Sequence, residues 1–343
     1  MLLRRLPLRE EIKMNTEIAE LMHEPGHVYE MAEKTKYKRN LSAEEKDAAG
    51  VLDAWAKEIG KTGYDEGHEI AAFVTRTVND ELYNAPDELL DSIFDRGTVG
   101  EFDDYETQKE VKNTLLAYEA AKGGNVDRSY LDFSAIAPQW VNLQVESDIS
   151  YVDMRKNGWK SIATLTTYAK EALQNKMFAR VFGAVDAAIT GGEQKIDVAG
   201  AAPTQEAMDA LALYLTDRDP SGAMAVCLTK YAQQIGRITG YHQYMSDAMK
   251  DEFNRYGLVN LYDGVRIAGV SSAKKDGKGD LLFPDKRIFG LAGKIGTLDM
   301  KGEIHTFEDM DNSHERVHLM VKDFTFGYAV THISKVAKIV FSS

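Results

Sequence analysis

From Ser161 to Gly192 the apolar side chains return every three or four residues: Ile162, Leu165, Ala169, Leu173, Met177, Val181, Val185 and Ile189. That step follows one face of an α-helix. Ser161 can cap its start, and Gly191–Gly192 ends it. About 30 residues at ~1.5 Å each predict a rod on the order of 45 Å, long for a globular helix. Its single stripe suits packing one side onto a sheet.

Residues 1–96 read as helical and charged, broken by turns. Ser42, followed three positions later by Glu45, forms a capping-box pattern. Leu52, Trp55, Ala56 and Ile59 then recur at helical spacing. "EIAAFVTRTVNDELY" and "APDELLDSIFDRG" predict two short helices, the second opened by Pro86 and closed by Gly97.

Beyond Gly97 the period changes to two. Trp140, Asn142, Gln144, Glu146 and Asp148 fall on one face of a strand, with Val141, Leu143, Val145 and Ile149 near the other. With the segment before it, this strand predicts a long two-stranded hairpin whose tip lies around Lys122 to Asn125, where "KGGN" supplies glycine for positive φ. An isolated ribbon of two strands is marginal in water, and its open edges invite pairing. Either the rest of the chain covers it or another copy does.

Residues 200–298 read as mixed α/β: helices at "TQEAMDALALYLTD" and "TKYAQQIGRIT", a buried strand at "GAMAVCL", strands at "VRIAGVSS" and "RIFGLAGKIGT", and an exposed loop at "KKDGKGD". The remainder alternates strongly and turns at "EDMDNSHE", predicting two long antiparallel strands and a closing strand.

The formal charge of −13, from 54 acidic and 41 basic residues, argues against a coat that grips phosphates, although not against a container that encloses nucleic acid. Cys227 is the single cysteine, so no intrachain disulfide and no cysteine-based metal cluster can form. Its apolar neighbours predict a buried small hydrophobe rather than a reactive thiol. The start of the chain lacks the hydrophobic stretch of a secretion signal, and no window reaches the ~20 apolar residues of a membrane span. A soluble protein kept in a reducing compartment is expected.

The chemical candidates are weak. His23, Glu24 and His27 spell H-E-x-x-H, a zinc-and-base signature that works only on a helix. Here the filler positions are Pro25 and Gly26, which read as turn punctuation, so the preceding helix is predicted to stop near His23. Asp309, Asp311 and Ser313 occupy odd positions of a calcium-loop pattern. His314 stands where that loop needs glycine, and a solvated turn is expected instead. His305, His314, His318 and His332 are scattered by strand alternation, although His318 and Glu315 can fall near each other. "DGKGD" lacks a following helix or phosphate-lysine context. No catalytic residue, cofactor site or metal site is assigned.

The order of elements is distinctive: helical arm, unsupported hairpin, long helix ending in Gly-Gly, compact α/β module, antiparallel return strands. From about residue 97 to 343 it resembles the major capsid proteins of tailed bacteriophages, the Hong Kong 97-type fold. "AYEAAKGGNVDRSYLDF" is similar to that family's extended loop. "WVNLQVESDISYVDMRKNGWKSIATLTTYAKEAL" resembles its return strand running into the spine helix. "LYDGVRIAGVSSAKKDGKGDLLFPDKRIFGLAGKIGTLDMKGEI" resembles the axial strands, and "VKDFTFGYAVTHISKVAKIVF" the carboxyl-terminal end.

The resemblance implies an α+β shell subunit. Its parts would be an amino-terminal arm over 1–96 that reaches a neighbour, an extended β-hairpin loop over 97–150, a peripheral domain from 151–199 and 299–330 containing the spine helix, and an axial α/β domain from 200–298 and 331–343. It also implies self-assembly into hexamers and pentamers that build the icosahedral head of a tailed-phage virion. That head would enclose double-stranded DNA, with portal, scaffolding or decoration proteins as further partners, and would be assembled in the host bacterial cytoplasm without a membrane. The Lys–Asn crosslink of some relatives is not carried over, because no carboxylate is matched to Lys122 and Asn312. Two other readings stand beside this one: an encapsulin-like compartment on the same fold, and a zinc-dependent hydrolase using His23, Glu24 and His27.

Overall fold

The computed structural model describes residues 21, 25–63, 69–84, 88–103, 106–109, 111–113, 115–117, 119, 129, 131–220, 222–238, 241, 245–256, 260–272, 275 and 279–342. Helix α1 spans Pro25–Lys36, α2 Ala43–Thr62 and α3 Glu69–Asn79; α3 runs into a π-helical turn at Asp80–Asn84, and α4 covers Glu88–Ile93. Strands follow at β1 Phe94–Val99, β2 Thr107–Gln108, β3 Lys112–Asn113, β4 Leu131–Asp132, β5 Ala135–Ile136 and β6 Gln139–Ser150. Next come α5 Tyr151–Asn157, α6 Trp159–Ala188, β7 Lys195–Ala199, α7 Gln205–Arg218, β8 Ala223–Leu228, α8 Thr229–Ile235 and α9 Asp247–Tyr256. The chain ends with β9 Leu261–Tyr262, β10 Val265–Val270, β11 Arg287–Ala292, β12 Gly296–Lys301, β13 His305–Asp311, β14 Arg316–Val330 and β15 Val336–Ser342.

Two compact units are built from interleaved segments. The first takes the chain up to Pro86, Asn142–Gln174 and Gly302–Thr325; the second takes Asp87–Val141, Asn175–Lys301 and Phe326–Ser343. The chain passes from one to the other inside β6, α6 and β14.

In the first unit, β13 and β14 pair antiparallel, with Asp309 opposite His318 and Asp311 opposite Arg316. Val317, Leu319 and Val321 point inward and are buried. The capping box forms as expected: Glu45 N donates to Ser42 Oγ at 3.2 Å, and Ser42 N donates to Glu45 Oε2 at 2.7 Å. Trp55, Phe73 and Trp159 meet at the centre, with ring centroids 6.2 Å and 5.1 Å apart along the chain of contacts. Helices α2 and α3 thus supply core side chains to their own subunit: Leu52, Trp55, Phe73 and Val74 are all buried.

In the second unit a six-stranded sheet has the order β7-β15-β11-β8-β10-β9. β8 is buried along its whole length, because β10 pairs with it in parallel and β11 antiparallel. Such a strand reads as a continuous apolar run. Phe182, Phe283 and Phe289 cluster beneath the sheet at centroid separations of 5.0–6.0 Å. Lys338 Nζ donates to the backbone oxygen and to Oδ1 of Asp186, both at 2.8 Å, and Arg287 Nε lies 3.3 Å from that Oδ1.

Several expectations need correction. Pro25 and Gly26 do not form a turn; they open α1, where a missing N–H costs nothing and the fixed φ suits the first turn, while the expected stop near His23 lies outside the described residues. The helix expected to run to Gly97 stops at Ile93, and Phe94–Val99 form β1, parallel to β12. Gly97 caps nothing: a Cβ there would lie 2.5 Å from Asp299 Oδ1. The long helix starts at Trp159 rather than Ser161, because Asp53 Oδ1 accepts the Trp159 N–H at 3.2 Å and Gly158 turns the chain with φ +54. Its full stripe from Ile162 to Ile189 is buried as predicted. Pro86, His23 and Glu24 lie outside the described residues.

Candidate functional site

Among the described residues the predicted hairpin forms as two short antiparallel ladders. Thr107 pairs with Ile136 and Gln108 with Ala135; Lys112 pairs with Asp132 and Asn113 with Leu131. The register converges on the expected tip, but Lys122–Asn125 themselves lie outside the described residues. β6 was expected to pair with the outgoing half of the hairpin; it lies on β14 instead. On β14 the strand becomes part of a five-stranded sheet, where Ile149 is buried and Val141, Leu143 and Val145 are half-buried, which a free ribbon would not provide.

The segment that carries the ladders exposes apolar side chains. Phe102 is 90% accessible, Leu116 66% and Phe133 65%, with Leu115 and Leu131 also exposed. Two-residue ladders bury little that would offset the exposure of such side chains.

The foot of the hairpin is firmly held. In the second unit Trp140 covers Gly327, where a Cβ would meet the indole at 2.7 Å, and Lys301 Nζ stands 5.1 Å from the indole centroid. Tyr328 Oη donates to Gln139 Oε1 at 2.7 Å. In the first unit Asn142 Nδ2 donates to Thr325 Oγ1 at 3.1 Å. His318 Nδ1 lies 2.6 Å from Asp148 Oδ1, and Arg316 NH1 is 3.5 Å from Asp148 Oδ2. The Asp148 hydrogen bond raises the His318 pKa, and the same bond lowers that of Asp148. His318 therefore meets Asp148 rather than Glu315, which takes Arg155 at 3.0 Å.

Beside β6, an open groove of about 560 Å³ is lined by Val145, Asp148, Lys160, Thr164, Tyr168 and Ala172. It lies between β6 and α6 within the first unit.

The remaining candidates do not converge. Asp311 closes its own turn: Oδ1 accepts the N–H groups of Ser313 at 3.0 Å and His314 at 3.1 Å, and Oδ2 lies 2.6 Å from His314 Nδ1. The Ser313 hydroxyl and then His314 hold this carboxyl at about 2. His332 Nδ1 contacts Thr331 Oγ1 at 2.8 Å, away from that turn in the chain. His27 is exposed on α1. Asn312 Oδ1 accepts from Tyr151 Oη at 2.8 Å. Cys227 is buried in β8, and burial pushes its thiol up to about 12. Among the described residues no group of three His, Cys, Asp or Glu side chains is arranged to hold a metal ion, and no helix is long and apolar enough to cross a membrane.

No family model matches the sequence, and no curated protein matches it. Solved structures do match. One of Gordonia phage Cozz superposes with a TM-score of 0.53 at 11% identity, over 74% of this chain and 85% of that one. The capsid structure of the cyanophage P-SCSP1u gives 0.51 at 12% identity, over 74% and 88%. A structure of Mycobacterium phage Bobi gives 0.50 at 10% identity, over 80% and 98%. At these identities the likeness concerns the fold, and it spans most of both chains. The 30-residue helix, the hairpin ahead of it, the six-stranded sheet after it and the long return strands together make an α+β fold that this chain shares with these phage structures, the cyanophage capsid among them.

Proposed function

We propose that this chain is a structural shell subunit, a major capsid protein without catalytic activity. Copies of it would form the hexamers and pentamers of an icosahedral virion head enclosing double-stranded DNA. The observation that carries this reading is the apolar hairpin: Phe102, Leu116 and Phe133 stand exposed on a ribbon with almost no pairing of its own, on a fold shared with a phage capsid. A neighbouring copy would cover that ribbon. The groove beside β6 is of a size to receive such side chains.

In this reading, residues 1–96 are the amino-terminal arm, 97–150 the extended loop, 151–199 with 299–330 the peripheral domain, and 200–298 with 331–343 the axial domain. Portal, scaffolding or decoration proteins would complete the particle in the host bacterial cytoplasm. The charge of −13 supports a container that confines DNA without gripping it. Expression of the chain alone, followed by negative-stain microscopy, tests the reading. Ultraviolet absorbance of purified particles separates a nucleic-acid content from the protein content of an encapsulin-like compartment. Unchanged metal content after His27→Ala removes the hydrolase reading.

A further inference from the structure

In the first unit β13 bonds to β14 on one side and meets helix α3 on the other. Three contacts join α3 to it. Ala71 N donates to Glu308 Oε2, Thr306 N donates to Thr75 Oγ1, and Ile304 N donates to Asn79 Oδ1, each at 3.0 Å. Asn79 Nδ2 returns a bond to the Ile304 oxygen at 3.4 Å. Along the helix these residues step by four, about 6 Å. Along the strand they step by two, about 6.7 Å. The two repeats match closely enough for one helix face to stand where a neighbouring strand would bond. Asn79 gives and takes a hydrogen bond with Ile304, as a paired strand residue does.

An exposed strand edge is a template for adding another chain. In a subunit built to meet many copies of itself, such an edge competes with correct contacts. We infer that α3 is an edge guard, which occupies the hydrogen-bonding margin of β13 so that a strand from a second copy cannot add there. This goes beyond the shell reading, and only its premise of many neighbouring copies rests on that reading. Ile70, Phe73, Val74 and Val78 of the same helix are buried.

The test uses the full chain carrying Thr75→Ala and Asn79→Ala, studied as unassembled subunits. The Ile304 and Thr306 amides are expected to exchange about thirtyfold faster, the loss of two net hydrogen bonds. Light scattering is expected to show sheet-rich association at concentrations where the parent chain stays dispersed, and Thr75→Ser, which keeps the hydroxyl, is expected to behave as the parent. Faster exchange without association would overturn the inference, as would unchanged exchange. If the double variant does not fold, Thr75→Ala alone, which opens only the Thr306 N–H, is expected to quicken that amide about fivefold, the loss of one net hydrogen bond, again with association.

Discussion

Asp53 on α2 holds the first N–H of the spine helix: its Oδ1 accepts from Trp159 at 3.2 Å. Gly158 makes this possible, since a Cβ there would overlap that carboxylate and its φ of +54 suits glycine. An amino-terminal helix thus sets where the longest element begins.

Gly158→Ala is therefore expected to lower subunit stability by about 2–4 kcal/mol, combining backbone strain with a displaced cap. Asp53→Ala is expected to cost about 1 kcal/mol. Urea unfolding of unassembled subunits checks both, and equal stability of Gly158→Ala and the parent would contradict the account.

The His318–Asp148 pair predicts a pH dependence at the foot of the hairpin. The folded pKa of His318 is raised, chiefly by its hydrogen bond to Asp148. Its contribution is fully present below the ordinary imidazole value of about 6.5 and is lost as pH rises through the higher folded value. Asp148 is lowered by the same bond, so its contribution is present above the ordinary carboxylate value and is lost as pH falls through the folded one. Both side chains are more than a third exposed, so the effect is below ~1 kcal/mol. Amide protection across 142–149, taken relative to the intrinsic exchange rate at each pH, is expected to fall above neutral pH, and His318→Gln is expected to remove that pH dependence.

Lys338 is 7% exposed and donates twice to Asp186 at the end of the spine helix. Lys338→Ala leaves the carboxylate with Arg287 at 3.3 Å and is expected to destabilise by about 3 kcal/mol. Lys338→Met, which keeps the aliphatic stem, is expected to cost less. Thermal unfolding followed by circular dichroism ranks the two.

Leu116→Asp and Phe133→Asp change exposed positions and are expected to leave subunit unfolding within about 0.5 kcal/mol of the parent. The same changes are expected to abolish assembly. Sedimentation velocity separates the outcomes, and normal particles from both variants would remove the hairpin from the assembly contact.

The parts legible in the sequence are those whose signal is local and repeated. The stripe from Ile162 to Ile189, the Ser42–Glu45 box and the apolar run of β8 each announce themselves within a few turns or one strand. What was missed depends on distant partners. Phe94–Val99 looks helical alone and becomes a strand because β12, some 200 positions later, pairs with it. The start at Trp159 follows from Asp53, far behind it in the chain. Pro25 and Gly26 read as a turn because their local cost was counted for a helix interior, whereas they occupy a first turn. Nothing in the spacing of Thr75 and Asn79 reveals that a strand edge lies against them.

The most direct test is microscopy of the chain expressed and purified alone, at concentrations well above those needed for folding. Closed particles of uniform size, with the hairpin protected from proteolysis only in the particle, are the predicted result. A compact monomer at every concentration, its hairpin ordered against its own body, would contradict the account.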